Sequence, residues 1–172
     1  MNRDWLVYGL AGLLLLATAA YFGLVSGVLA PYLAGYDPAS PGDYGHTTVA
    51  AVDGETGEEL GRVNAAVADS FSKRYVGLSE TDRLPEDRGM LFVHDDVDER
   101  TYVMRNMSFG LDIIFVDSDG TITAIHDAPE PGPDEDGADQ EYAGEGQYVL
   151  EVNRGWTDER GVEAGDRIEF EL

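Results

Sequence analysis

No cysteine occurs anywhere in the 172 residues. That removes disulfide frameworks, thiolate nucleophiles and cysteine-based zinc or iron–sulfur sites. Positive charge is scarce as well. The 11 Lys and Arg stand against 34 Asp and Glu, for a formal net charge of −23, and Lys73 is the single lysine. A surface this acidic lacks the basic face that nucleic acid or anionic lipid requires, so no nucleic-acid partner is expected. Only three histidines are present, which leaves few candidates for a histidine-based triad. The chain also lacks a G-x-S-x-G elbow, a phosphate-cradling glycine loop and an H-E-x-x-H pair. No motif asks for a cofactor.

Charge of either sign is missing from one long stretch. From Trp5 to Tyr36 there is no charged residue, whereas only Asp4 and Arg3 carry side-chain charge before it. Residues 5–30 form a run too long for the core of an export signal, about 7–15 residues. As a helix they would span about 39 Å at 1.5 Å per residue, enough for a hydrocarbon core near 30 Å. Trp5 and Tyr8 at one end, and Tyr32 and Tyr36 at the other, suit the two interfaces. Pro31 ends the run and disfavours cleavage after "VLA", the one place where a cleaved signal could be cut. The chain is therefore expected to contain a cytoplasmic N-terminus (1–4), a transmembrane anchor (5–30), a Pro- and Gly-rich tether (31–46) and a domain over 47–172. Arg3 and the free amine favour a cytoplasmic N-terminus. The expected location is the cell membrane, single-pass, with the bilayer as partner of residues 5–30 and the domain extracytoplasmic.

Beyond position 36 the acids alternate with apolar, strand-like runs, a pattern of a folded domain rather than a disordered acidic tail. At molar salt the Debye length is about 3 Å, so a carboxylate-covered surface of this kind is tolerable. The composition therefore points to a salt-adapted milieu.

"HTTVAAVD" and "LGRVNAAVA" flank "GETGEE" as a first hairpin. "DSFSKRYVGLS" reads as a helix capped by Asp69 or Ser70, with Phe71, Tyr75 and Leu78 at helical spacing. "MLFVH", "TYVMRNM", "LDIIFVD", "TITAIHD", "QYVLEVN" and "DRIEFEL" read as strands. "DSDG" is a turn, "TDER" a helical turn closed by Gly161, and "APEPGPDEDGADQEYAGEG" a loop. The fold class that follows is mainly β, a compact barrel or sandwich of about eight short strands with one or two short helices.

Three blocks carry a resemblance: "GLSETDRLPEDRGMLF", "MRNMSFGLDIIFVDSDGTITAIH" and "YVLEVNRGWTDERGVEAGDRI". In order and spacing they resemble the domain of unknown function family 192, over about residues 62–170. The resemblance implies a compact, mostly β domain, often exported or membrane-anchored, and it implies no reaction. The family's usual Trp-Met-Lys-Asn-Thr and Pro-Leu-Asp read here as Val103-Met104-Arg105-Asn106-Met107 and Gly110-Leu111-Asp112. The tryptophan and the proline are both absent here, so an aromatic stacking role at that rim is not expected.

Five residues are candidates for ligand binding: Arg105, Asn106, Asp112, His126 and Glu151. A guanidinium, an amide and a carboxylate together could clamp a small polar ligand. The favoured alternative is architectural, with Arg105 pairing with Asp112 and Asn106 bonding backbone at the turn, which satisfies buried polar groups. Met104, Met107 and His126, with Met90, offer soft ligands for copper(I), but methionines beside strands are ordinary core filler. Asp117, Asp119 and Gly120 resemble the start of a calcium loop, yet strand residues follow where ligands are needed, so a hairpin turn is expected. Asp166 after Gly165 reads as a turn former. The function expected is a non-catalytic module binding a small molecule or a protein. The alternatives are a hydrolase-like enzyme using Asp112, Glu151 or His126 as acid–base groups, and a structural envelope protein.

Overall fold

The computed structural model describes residues 44–172. The expected anchor, and all of the tether before Tyr44, lie outside the described residues. Among the described residues, no helix is long and apolar enough to cross a membrane.

Seven strands form one sheet: β1 (Gly45–Val52), β2 (Glu59–Ala68), β3 (Arg88–Val103), β4 (Leu111–Val116), β5 (Ile122–Ala128), β6 (Glu141–Asn153) and β7 (Arg167–Glu169). Their order is β5-β4-β6-β3-β2-β1-β7. Only β2 and β3 run parallel, and the segment between them carries the helix α1 (Phe71–Val76). A second helix, α2 (Trp156–Arg160), follows β6. The sheet curls into a half-barrel, and its two edge strands touch at one end. There Thr121 bridges Arg167, and the Ile168 amide donates to the Gly120 carbonyl at 2.8 Å.

Among the described residues the count is seven strands rather than eight, in one curled sheet rather than a sandwich. "MLFVH" and "TYV" are the two halves of the single 16-residue β3. Between them the register with β6 shifts from Val93↔Tyr148 to Asp98↔Gly146. Four residues of β3 thus oppose one of β6, which is the irregularity that bends a strand. Tyr102 consequently packs edge-on against Phe92 of its own strand, with ring centroids 5.0 Å apart. Ten extended residues would separate them by about 33 Å, so the outer half of β3 folds back as an arm.

The acidic stretch expected to be loop up to Gly146 is strand from Glu141 onward, and pairs with that arm. Glycine hid it. A Cβ at Gly144 would lie 2.5 Å from the Phe115 ring, so the arm can close over the sheet only without a side chain there.

Side chains alternate between the two faces of the sheet. One face, with Val49, Leu91, Ile114, Leu150, Val152 and Ile168, forms the main core together with Trp156 of α2. The opposite face carries Met90, Phe92, Ile113, Phe115 and Val149, all buried. Glu151 stands among them, because it pairs across the ladders with Met90 and Ile113.

Candidate functional site

The opposite face holds a cavity of about 530 Å³ between α1 and the β3 arm. Phe92, Leu111 and Glu151 form its inner lining. Phe71, Arg74 and Tyr75 come from α1, and His94, Arg100 and Tyr102 from the arm. Arg105 and Met107 close the side toward the β3–β4 turn.

Ser70 caps α1 by accepting from the Lys73 amide. Phe71 and Tyr75 stand at the helical spacing read from the sequence, but neither turns into the core. Phe71 is 54% exposed and Tyr75 37%, and both rings line the cavity. A helix of only six residues has room to bury one face, and Val76 takes it. The two aromatics stack with centroids 6.2 Å apart. The Arg105 guanidinium lies 4.5 Å over the Tyr75 ring and donates to the Tyr75 carbonyl at 2.6 Å.

At the floor is Glu151, 5% exposed. Among the described residues its carboxyl takes part in no hydrogen bond or ion pair. Burial alone pushes its pKa up to about 8, so at neutral pH it is mostly a neutral acid, able to donate one hydrogen bond and accept another. Beside it, His94 Nε2 and the Tyr102 hydroxyl share a hydrogen bond of 3.0 Å. Burial, then Arg100 and Arg74, hold His94 down to about 4, against a smaller opposing pull from Asp95 and Asp96. Burial raises the Tyr102 phenol well above its ordinary range. At pH 7 the floor therefore carries three neutral groups that can hydrogen-bond.

The five sequence candidates divide. Arg105 and Glu151 meet at this cavity. Asp112 does not join them, and it does not pair with Arg105. Its carboxylate accepts from the Gly155 amide at 2.9 Å, the Thr157 amide at 2.8 Å and the Thr157 hydroxyl at 2.7 Å. It is 2% exposed and closes the N-terminus of α2, where Gly155 has no side chain to serve as cap. Asp112 pairs with Val152, so it points to the face opposite Glu151. The paired-carboxylate arrangement considered for a hydrolase is not assembled.

His126 shares the row of Glu151 but lies two strands away, about 10 Å by strand spacing. Its Nε2 bonds the Ala143 carbonyl at 2.8 Å, and its ring packs on Phe115 and Tyr142. Asn106 adopts φ 57, a left-handed conformation that asparagine tolerates. With Met104 and Met107 it lines a separate depression against Pro131–Gly137. Met104 is fully buried, and His126 lines neither space, so the soft ligands considered for copper(I) are not gathered. Asp117 to Gly120 form the expected turn, with the Gly120 amide donating to the Asp117 carbonyl at 3.1 Å. Asp166 ties turns as expected, accepting from the Gly54 amide at 3.0 Å and the Glu163 amide at 2.8 Å.

Sequence reasoning missed His94, Tyr102, Arg74 and Arg100. The readable signal was the i, i+4 pair Phe71 and Tyr75 with Arg74 between them, on a helix too short to bury two aromatics.

Two solved structures share this architecture. A protein from Sinorhizobium meliloti 1021, provisionally described as a transcription regulator, superposes with a TM-score of 0.66 at 28% identity, covering 76% of this chain and 98% of its own. A protein of unknown function from Novosphingobium aromaticivorans DSM 12444 gives a TM-score of 0.62 at 27% identity, covering 76% and 89%. None of the curated proteins is significantly similar to the sequence. The family model for DUF192, described as uncharacterised ACR, matches residues 52–170. The chain belongs to the domain of unknown function family 192.

Proposed function

We propose that the domain is a non-catalytic binding module that takes a small ligand in the cavity above Glu151. In this reading residues 5–30 hold it at the cell membrane, with the domain on the extracytoplasmic side. The observation that carries the binding reading is the unpartnered, buried carboxyl of Glu151 on a wall of the cavity. Desolvating such a group destabilises the fold, and here no bond within the described domain offsets the cost. Groups retained at the expense of stability are characteristic of working sites. A volume of about 530 Å³ falls within the common range of about 300–1,000 Å³ for small-molecule pockets.

The hydrolase reading has less support, because Asp112 is consumed by α2 and His126 by the Ala143 carbonyl. Nor does the description of the Sinorhizobium protein transfer readily: a net charge of −23 offers little for a phosphate backbone.

The test is a saturation-transfer NMR screen of small polar and aromatic fragments on the full chain in detergent. The comparison is Val103→Trp, which fills the mouth of the cavity from an exposed position. Fragments should bind the parent and be lost from the variant. A screen in which nothing distinguishes the two proteins removes the reading. Recovery of the intact chain from a soluble fraction without detergent would separately remove the anchor.

A further inference from the structure

We infer that the ligand of this cavity is a small planar anion. Its acidic group would meet Arg74, Arg100 and Arg105, its ring would lie against Phe71 and Tyr75, and a polar edge would reach Glu151. The inference rests on the reading that the cavity binds a ligand, and adds the ligand's charge and shape.

Charge is the first argument. Of the 11 Lys and Arg in the chain, three arginines line this one cavity. The other titratable groups facing it are Glu99, Glu151, His94, Tyr75 and Tyr102. Glu151 and His94 are largely neutral at pH 7, which leaves Glu99, and Asp96 where it pairs with Arg100, as the opposing charges. In a chain of net charge −23, the cavity is a local positive site.

The cations are also held in place, Arg74 and Arg105 without being neutralised. Each donates to a backbone carbonyl: Arg74 Nη1 to Val93 at 2.7 Å, Arg100 Nε to Gly146 at 3.0 Å and Arg105 Nη2 to Tyr75 at 2.6 Å. Arg100 alone also reaches a carboxylate, Asp96 at 3.1 Å. Arg74 and Arg105 form no ion pair among the described residues, although the chain has 34 acids. A carbonyl anchor fixes a guanidinium while leaving its charge and its other N–H groups for a ligand anion.

Shape is the second argument. Arg105, Tyr75 and Phe71 form a stacked series whose rings remain exposed. Such a series accepts another flat group without reordering. At the inner end a protonated carboxyl both donates and accepts, so it suits an edge bearing N–H or C=O rather than a second charge.

The test uses three probes with one ring and three charges: indole-3-acetate, tryptophol and tryptamine. Each is titrated calorimetrically into the full chain in zwitterionic detergent at pH 7. Indole-3-acetate should bind about ten-fold more tightly than tryptophol, as expected for one charge-assisted contact, and tryptamine most weakly. Arg105→Gln should erase the advantage of indole-3-acetate over tryptophol, the ratio of the two affinities falling to about one. Arg105 sits at the rim of the fold, so this variant should fold even where Arg74→Gln, which frees the Val93 carbonyl, does not. Equal affinities, a preference for tryptamine, or no binding by any probe overturns the anion inference. The fragment screen with Val103→Trp decides the cavity itself, so the two failures are distinguishable.

Discussion

Asp112 and Glu151 sit one register step apart on neighbouring strands, yet their carboxyl groups face opposite sides of the sheet. Asp112 pairs with Val152, and Glu151 with Ile113. The side-chain period of two sends one acid into the core beneath α2 and the other into the cavity beneath α1. Two buried acids that look alike in the sequence therefore have separate tasks.

The first consequence concerns stability. Asp112→Ala leaves the Gly155 amide, the Thr157 amide and the Thr157 hydroxyl without their acceptor. Each buried, unsatisfied donor costs about 1–3 kcal/mol, so urea unfolding should show a loss of at least about 3 kcal/mol. Arg105→Ala, which removes a bond to the Tyr75 carbonyl at the surface, should cost less than about 1 kcal/mol. Equal losses for the two would restore the idea that they form one brace.

Glu151 should leave a signature in the pH dependence. Its folded pKa is raised from 4.5 to about 8, so between those values the folded chain holds a proton that the unfolded chain has released. Stability from this group is intact below pH 4.5 and is lost as pH rises toward 8. His94, lowered from 6.5 to about 4, acts oppositely: stability is lost as pH falls from 6.5 toward 4. The two slopes oppose each other below pH 6.5, which leaves the interval from 6.5 to 8 to Glu151. Over that interval denaturation should show the wild type losing about 2 kcal/mol relative to Glu151→Gln. Parallel curves would contradict the buried, unpaired acid.

Gly144→Ala should loosen the arm. The added Cβ would meet the Phe115 ring, an overpacking that costs about 1–3 kcal/mol. Because Tyr102 packs on both Phe92 and Phe115, the thermal midpoint and the protection of arm amides in hydrogen exchange should fall together.

Salt should stabilise the chain. With a net charge of −23, self-repulsion opposes compaction and is screened at molar ionic strength. The melting temperature should rise between 0.1 and 2 M KCl. A flat or falling curve would count against the salt-adapted reading.

The mainly β class, both short helices, the turn at Asp117–Gly120 and the family were legible in the sequence, because period-two alternation, caps and turn chemistry are local. What failed was non-local. Eight strands became seven because a bend inside β3 looks like a loop, and its partner Glu141–Gly146 is hidden by glycine and charge. Glu151 and Arg105 were chosen from the motif, but nothing near Asp112 in the chain reveals that its partners lie at Gly155 and Thr157. Phe71 and Tyr75 have core spacing on a helix that is too short to use it. The cavity is assembled from α1, the arm and the β6 floor, segments up to 80 residues apart, so no single window of sequence contains it.

The most direct test follows the Glu151 side-chain carboxyl carbon by NMR in selectively labelled full-length protein, first across pH and then during titration with the fragments that bind. The account predicts titration near pH 8 in the free protein and a shift of that resonance on binding, absent in Val103→Trp. A carboxyl that titrates near 4.5, or one indifferent to every bound fragment, would contradict it.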